Sequence, residues 1–320
     1  MPLAYKIVSP QKSGECHLVM DSRNYFIESK RKLVFRSLLI IATVAGIGCS
    51  SGQLLNTLSG ASNYLAYSDV NYGSHPRQRM DIYTPNGGEQ AGEDYSCKVL
   101  FVHGGSWQSG DKHTYGFVGA ALAELGYFVA VPNYRLHPEV AFPDFVHDIG
   151  SALSHPLLEK KRATDKIAVI GHSAGAFNAA HLSYNKTYLR EKGLDTNTID
   201  LFISLAGPHD YFLPSDKSKW RAIFGQSATQ QQSALSVNYV SDDSPPTLVL
   251  HGEDDGVVTP RSAHSLAEKL AANNIQYKLR IYENIGHIKI IAALAPRLQS
   301  LAPTLEDIHK FLAMNGCRAG

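Results

Sequence analysis

Ser173 sits in the string "VIGHSAGAF", residues 169 to 177, a match to Gly-x-Ser-x-Gly. With 26 glycines in 320 residues, chance matches are expected, so the string needs partners before it means chemistry. A free serine hydroxyl is a poor nucleophile at neutral pH; it needs a base within hydrogen-bond reach, and the base needs a carboxylate to hold its tautomer. Both partner types follow downstream. "LVLHGEDDGVV" offers an acid at Asp254 or Asp255, and "YENIGHIKI" offers His287 directly after Gly286. The order Ser, acid, His is the one expected when the serine stands on a strand-to-helix turn.

An acyl-transfer site also needs donors for the oxyanion of the tetrahedral intermediate, each worth on the order of 3 kcal/mol of barrier. "FVHGGSW" follows an apolar run and offers successive backbone N–H groups at Gly104, Gly105 and Ser106, and Ala174 N–H adds the donor after the nucleophile. A glycine pair after a strand is by itself only a turn. Paired with the serine in this order, it reads as an oxyanion site.

These residues must be carried to one place. "RQRMDIYTP", "KVLFVHGG", "YFVAVPNYR", "KIAVIGH", "IDLFISLAG", "PTLVLHGED" and "YKLRIYEN" are β-rich runs bounded by Gly, Pro or Asn, several of them apolar nearly throughout, as strands covered on both faces must be. Helical stretches lie between them: Tyr115 to Leu125, Phe145 to Glu159, Ala174 to Tyr184, and Pro260 to Ala272, the last with Thr259 as its expected N-cap. The alternation predicts an α/β fold, a mostly parallel sheet with helices on both faces. Ser173 then falls on a strand–turn–helix junction, where Gly171 and Gly175 are needed because side chains there would collide with the neighbouring strand or helix. Residues 211 to 240, polar with scattered aromatics, interrupt the alternation beyond a strand end and read as a small cap overhanging the site.

The composition, 44% hydrophobic and 18% charged, suits one sizeable core. Thirty basic against twenty-nine acidic side chains leave +1, no electrostatic footprint for a nucleic-acid partner, and a small uncharged substrate fits better. Lys30, Arg31, Lys32 and Arg36 precede an apolar run from Leu38 to Ile47 that has the length of a signal-peptide core and is short for a membrane span. The run ends at Gly48-Cys49-Ser50-Ser51, which resembles a bacterial lipobox with Cys49 as the lipidated residue, although Gly46 stands where leucine is preferred; Met20 is an alternative start. Residues 1–49 thus read as a leader, 50–68 as a tether and 69–316 as the catalytic domain, giving an exported protein of the bacterial cell envelope that meets the membrane through its N-terminus. Of the four cysteines, Cys16 would leave with the leader and Cys49 would carry lipid. Cys97 and Cys317 would then meet oxidising conditions, either as a disulfide or as two separately buried thiols. No zinc-type spacing occurs among the 14 histidines, and neither a metal nor another cofactor is called for.

Taken together, "HGGSWQSGDK", "NYRLHPEVAFPD", "GHSAGA", "GPHD", "PPTLVLHGEDDGVV" and "GH" resemble, in order, an α/β-hydrolase of the broad group holding hormone-sensitive-lipase-like esterases, feruloyl-esterase-like hydrolases and kynurenine formamidases, over about Asp69 to Leu312. In that family Gly-x-x-Asp-x-x-Val marks the triad acid; Gly252, Asp255 and Val258 match it, and so the resemblance favours Asp255. His103-Gly104-Gly105-Ser106-Trp107 is similar to the His-Gly-Gly-x-Trp form of formamidases and feruloyl-esterase-like enzymes. The resemblance implies structural roles for Asp148 and Asp210, as caps or ion-pair partners, and a packing role for His172. The expected function is a serine carboxylesterase acting on small or medium acyl esters. A formamidase is the nearest rival, with export arguing against it; a peptidase lacks room for its usual accessory domain, and an inactive binding protein has no use for the whole set of groups.

Overall fold

A computed structural model describes residues 7–8, 63–86, 95–210 and 217–320. Apart from Ile7 and Val8, the proposed leader, with Cys16 and Cys49, and most of the tether lie outside the described residues. Nine strands form one sheet in the order β1-β2-β3-β5-β4-β6-β7-β8-β9. These are β1 (Ile7–Val8), β2 (Tyr64–Asn71), β3 (Arg79–Pro85), β4 (Cys97–Val102), β5 (Phe128–Pro132), β6 (Lys166–His172), β7 (Leu201–Leu205), β8 (Thr247–Gly252) and β9 (Tyr277–Tyr282). β1 is a two-residue bridge to β2, so eight strands make up the body of the sheet. From β5 to β9 all neighbours run parallel, while β1, β2 and β3 pair antiparallel at one edge. This is the α/β-hydrolase fold.

Strands β4, β5, β7 and β8 are buried at every position, and all but the first residue of β6 is buried. Their continuous apolar runs have that meaning: two hydrophobic clusters, one on each face, enclose the sheet. The helices that cover it are α1 (Gly116–Glu124), α2 (Asp144–Leu153), α3 (Ala174–Tyr184), α4 (Thr187–Glu191), α5 (Lys217–Phe224), α6 (Ala228–Ser233), α7 (Arg261–Ala272), α8 (His287–Ala292) and α9 (Thr304–Met314).

Three boundaries differ from the sequence reading, each for a local reason. The helix expected over Phe145 to Glu159 stops at Leu153, because Pro156 has no N–H to continue the ladder and holds His155 in the extended region; a short 3-10 turn, Pro156–Leu158, follows. Helix α7 starts at Arg261 with Pro260, not Thr259, in the cap position. Tyr64 to Ser68, expected in the tether, belong to β2, where only Tyr67 and Val70 are buried and a register shift between them breaks the alternation that would have marked the strand.

Cys97 and Cys317 are joined in a disulfide across 220 residues of sequence, with Cα atoms 4.8 Å apart. The bond ties the start of β4 to the chain after α9, at the end of the strand remote from the His103 loop. Closing so long a loop contributes ~5 kcal/mol in the chain-entropy account. Among the described residues no helix is long and apolar enough to cross a membrane.

Candidate active site

Parallel strands end at one edge, and the three loops that carry Ser173, Asp255 and His287 leave β6, β8 and β9 there. Ser173 stands between β6 and α3 with φ 55° and ψ −124°, a conformation that costs about 1–3 kcal/mol for a residue with a Cβ. Its neighbours compel it. A Cβ on Gly171 would come within 2.5 Å of Ala176 Cα, and one on Gly175 within 2.1 Å of the Val102 carbonyl, so helix and strand close on the turn from both sides. Ser173 N–H donates to the Leu205 carbonyl at 2.9 Å, fixing the turn to β7.

His287 opens α8, and its Nε2 lies 2.8 Å from Ser173 Oγ while its Nδ1 lies 2.7 Å from Asp255 Oδ2. The carboxylate only accepts, so Nδ1 carries the proton and Nε2 is left with its lone pair toward the serine hydroxyl. Serine and histidine are each 8% exposed and Asp255 4%, enough shielding to strengthen both bonds without closing off the hydroxyl. Burial by itself would raise the Asp255 pKa, but bonds from His251 and His287 and the Val258 N–H hold it well below the usual carboxylate range. Its Oδ1 accepts from Val257 and Val258 N–H at 2.9 and 2.8 Å. Asp254, by contrast, is exposed and joins the loops only through its backbone, N–H to the Ile285 carbonyl at 3.0 Å. Geometry thus selects Asp255 from the adjacent pair.

The loop after β4 turns sharply, with Gly105, Ser106 and Trp107 at φ 133°, 53° and 59°. Gly104 lies hard against the elbow: a Cβ there would be 3.1 Å from that of Ser173. The Tyr115 hydroxyl packs against it, 3.0 Å from where a Gly104 Cβ would stand, and the N–H groups of Gly104, Gly105, Ser106 and Ala174 have no acceptor among the described residues. All four expected donors therefore remain open to an incoming oxygen. The loop is braced from outside by Arg77, which donates to the Tyr134 and Gly110 carbonyls at 2.8 and 2.9 Å, and by Tyr134, whose hydroxyl donates to the His103 carbonyl at 3.0 Å.

Trp107 points from this loop into the core beside α5. Its ring meets Phe177, Trp220 and Phe224 edge-on, and its Nε1–H donates to Asn178 Oδ1 at 2.9 Å. Residues 211–216 of the expected cap lie outside the described residues; the rest forms α5, α6 and a 3-10 turn, Ser236–Tyr239.

Some side chains do more than their sequence neighbourhood indicates. His172, read as packing, donates from Nε2 toward the His287 carbonyl at 3.2 Å and faces the Tyr115 hydroxyl with Nδ1 at 3.1 Å. His251 donates to the Val258 carbonyl at 2.7 Å and lies 3.3 Å from Asp255 Oδ2, bracing the acid loop. His209 joins Ser204 of β7 to Ser236 of the cap at 2.8 and 3.0 Å. The motifs "GHSAGA", "LVLHGEDDG" and "GPHD" displayed these histidines, but no spacing rule names their partners. Asp148 is an ion-pair residue as expected, gripped by Arg135 at 2.8 Å, and Asp210 faces Arg261 at 3.6 Å. No cluster able to hold a metal ion occurs among the described residues.

A model of the BD-FAE family matches residues 80–270, more than half of the chain. The chain belongs to the BD-FAE family. Its sequence is 25% identical over 238 residues to a protein of Arabidopsis thaliana named "Probable isoprenylcysteine alpha-carbonyl methylesterase ICMEL2", covering 68% of this chain and 56% of that protein. It is 23% identical over 225 residues to the kynurenine formamidase of Meyerozyma guilliermondii, covering 65% of this chain and 82% of that protein. The chain spans only 55 to 58% of the length of the methylesterases it matches. Among solved structures, esterase B of Lactobacillus rhamnosis superposes with a TM-score of 0.68 at 19% identity, over 88% of this chain and 96% of that one, a likeness of fold.

Proposed function

We propose that this BD-FAE family member is a serine carboxylesterase in which Ser173 is the nucleophile, His287 the general base and acid, and Asp255 the group that orients the base. The observation that carries the reading is the unbroken chain Ser173 Oγ, His287 Nε2, His287 Nδ1, Asp255 Oδ2, with bonds of 2.8 and 2.7 Å on a strained turn. In the first half-reaction Ser173 Oγ attacks the ester carbonyl carbon while its proton passes to His287 Nε2. The carbonyl oxygen takes the electron pair and is met by N–H groups of Gly105, Ser106 and Ala174. As the intermediate collapses, the alcohol oxygen leaves with the proton from Nε2. Water then repeats the sequence on the acyl-enzyme, releasing the acid and restoring Ser173. Asp255 stays ionised throughout, which stabilises the imidazolium that forms twice per turnover.

The esterase names among the relatives support an ester as substrate, which we take to carry a small or medium acyl group. The formamidase match supports a second reading, since the same attack opens a formamide. A panel of nitrophenyl esters of increasing acyl length beside N-formylkynurenine decides between them: the ester reading expects turnover of short esters well above that of the formamide, and the reverse overturns it. Ser173→Ala should leave only the ~10³–10⁴-fold catalysis over water that donors and binding supply, with folding intact and fluorophosphonate labelling abolished. Labelling that survives would move the nucleophile elsewhere.

The same proposal includes export, supported by the basic and apolar leader residues and by the Cys97–Cys317 disulfide, a bond that persists in oxidising compartments. Lipidation of Cys49 would anchor the domain at the envelope. Mass spectrometry of the mature N-terminus tests it; an unmodified end beyond residue 49 or a retained leader refutes the anchor.

A further inference from the structure

A half-buried tyrosine and a buried histidine stand between the oxyanion loop and the base without touching either reacting atom. Tyr115, just before α1, rests its hydroxyl against Gly104, 3.0 Å from where a Cβ there would stand, and lies 3.1 Å from His172 Nδ1. His172, the residue before the nucleophile and 2% exposed, reaches across with Nε2 to the His287 carbonyl at 3.2 Å. The hydrogen-bond roles along this chain have only one consistent assignment. A carbonyl accepts, so His172 Nε2 carries the proton; a neutral imidazole then accepts at Nδ1, so Tyr115 donates its O–H there. Burial, reinforced by the nearby His287 ring, lowers the His172 pKa to about 3, and burial pushes Tyr115 up to about 12, so both groups keep these roles across the working pH range.

We infer that Tyr115 and His172 form a positioning relay that fixes the backbone of the base relative to the oxyanion loop. The inference rests on the serine-hydrolase reading of the site. His287 begins α8 directly after Gly286, so its own helix anchors it on one side only; the His172 bond to its carbonyl supplies the other restraint. Gly104 is wedged between the Tyr115 hydroxyl and Ser173, 3.0 and 3.1 Å from where its Cβ would stand, so the first glycine of the pair is a fixed point for the donors of the loop. One continuous run, the Gly104 backbone packed on the Tyr115 hydroxyl and then the bonds from Tyr115 O–H to His172 and from His172 to the His287 carbonyl, thereby sets the distance between the groups that move the proton and the groups that receive the negative charge. That distance matters only in the transition state, so the relay acts on kcat and leaves KM nearly alone.

The test is a double-mutant cycle in the full chain with nitrophenyl acetate, read beside the rate of fluorophosphonate labelling at Ser173. His172→Phe should lower kcat about 100-fold, the penalty for a misplaced reacting group, with KM changed by less than about threefold. His172→Gln, whose amide can still donate to the His287 carbonyl, should recover at least about tenfold of that loss. Tyr115→Phe should cost about 3–10-fold, and the double variant should be no slower than His172→Phe alone, because the hydroxyl acts through the histidine. Nitrogen-15 histidine spectra give a readout free of activity: His172 protonated on Nε2 from pH 5 to 9 in the wild type, and a mixture of tautomers in Tyr115→Phe. Additive losses, equal rates for the Gln and Phe variants, or a proton on Nδ1 would overturn the relay while leaving the esterase reading intact. Absence of both turnover and Ser173 labelling in the wild type would overturn the esterase reading and the relay with it.

Discussion

Two loops at the same sheet edge, both rich in glycine and both following a fully buried strand, dispose of their backbone N–H groups in opposite ways. The loop after β8 turns two of them inward onto Asp255, so a negative charge is held at all times and the loop satisfies itself. In the loop after β4, Gly105 and Ser106 spend their N–H groups on nothing within the described chain, and Arg77, Tyr134 and Tyr115 buttress the loop from outside. A charge that is present in the resting protein can organise its own donors. A charge that exists only in the intermediate cannot, and the donors meant for it must be held in place by other parts of the fold.

The sharpest way to break the contrast is to remove the permanent charge. Asp255→Asn should cost ~10⁴-fold in kcat, because the amide no longer fixes the Nδ1-protonated tautomer, whereas Asp254→Asn on the exposed neighbour should cost little. Equal losses in steady-state kinetics would mean that the loop does not hold the acid as described. On the opposite side, Gly105→Ala places a Cβ 2.1 Å from the Ser109 carbonyl at a φ of 133°, so the loop must shift. The expected cost is ~10²–10³-fold in kcat with KM nearly unchanged; an unaltered kcat would exclude this loop as the oxyanion site.

Acid should undo the bracing before it reaches the held charge. Burial lowers His103 and His181 to about 4 and His172 and His209 to about 3, below the unfolded value of about 6.5. The unfolded chain therefore binds more protons than the folded one as pH falls from about 6.5 toward these folded values, and each such proton removes about 1.4 kcal/mol of stability per pH unit. Asp255, lowered instead of raised, adds stability that is lost only as pH falls below about 4, the unfolded carboxylate range. Thermal melts should accordingly drop steeply between pH 6.5 and 4.5; a flat Tm over that interval refutes neutral burial of the four histidines.

The smallest effect on turnover belongs to the far end of β4. Cys97→Ser opens the disulfide away from both loops, so kcat at room temperature should be unchanged while stability falls by about 2–5 kcal/mol. Calorimetry with and without reductant on the wild type should show the same difference, and a loss of kcat would mean that the bond positions the His103 loop.

The elements and the strand–turn–helix junction at Ser173 were legible in the sequence because they are local. An apolar run covered on both faces announces a buried strand, and Gly171 and Gly175 announce a turn in which neither tolerates a side chain; the structure gives the physical reason in the atoms a Cβ would strike. β2 was not legible, since an edge strand with a register shift keeps no clean alternation. The sequence alone determined the order Ser173, acid, His287, the glycine pair after β4 and the α/β alternation that would bring them to one edge. Only the tertiary structure decided which of two adjacent aspartates faces the base, that Cys97 finds Cys317 across 220 residues, and that His172, His209 and His251 are working partners instead of filler. The reason is range: propensity, periodicity and steric need act over a few residues, while a hydrogen bond between elements depends on where the whole sheet delivers its ends.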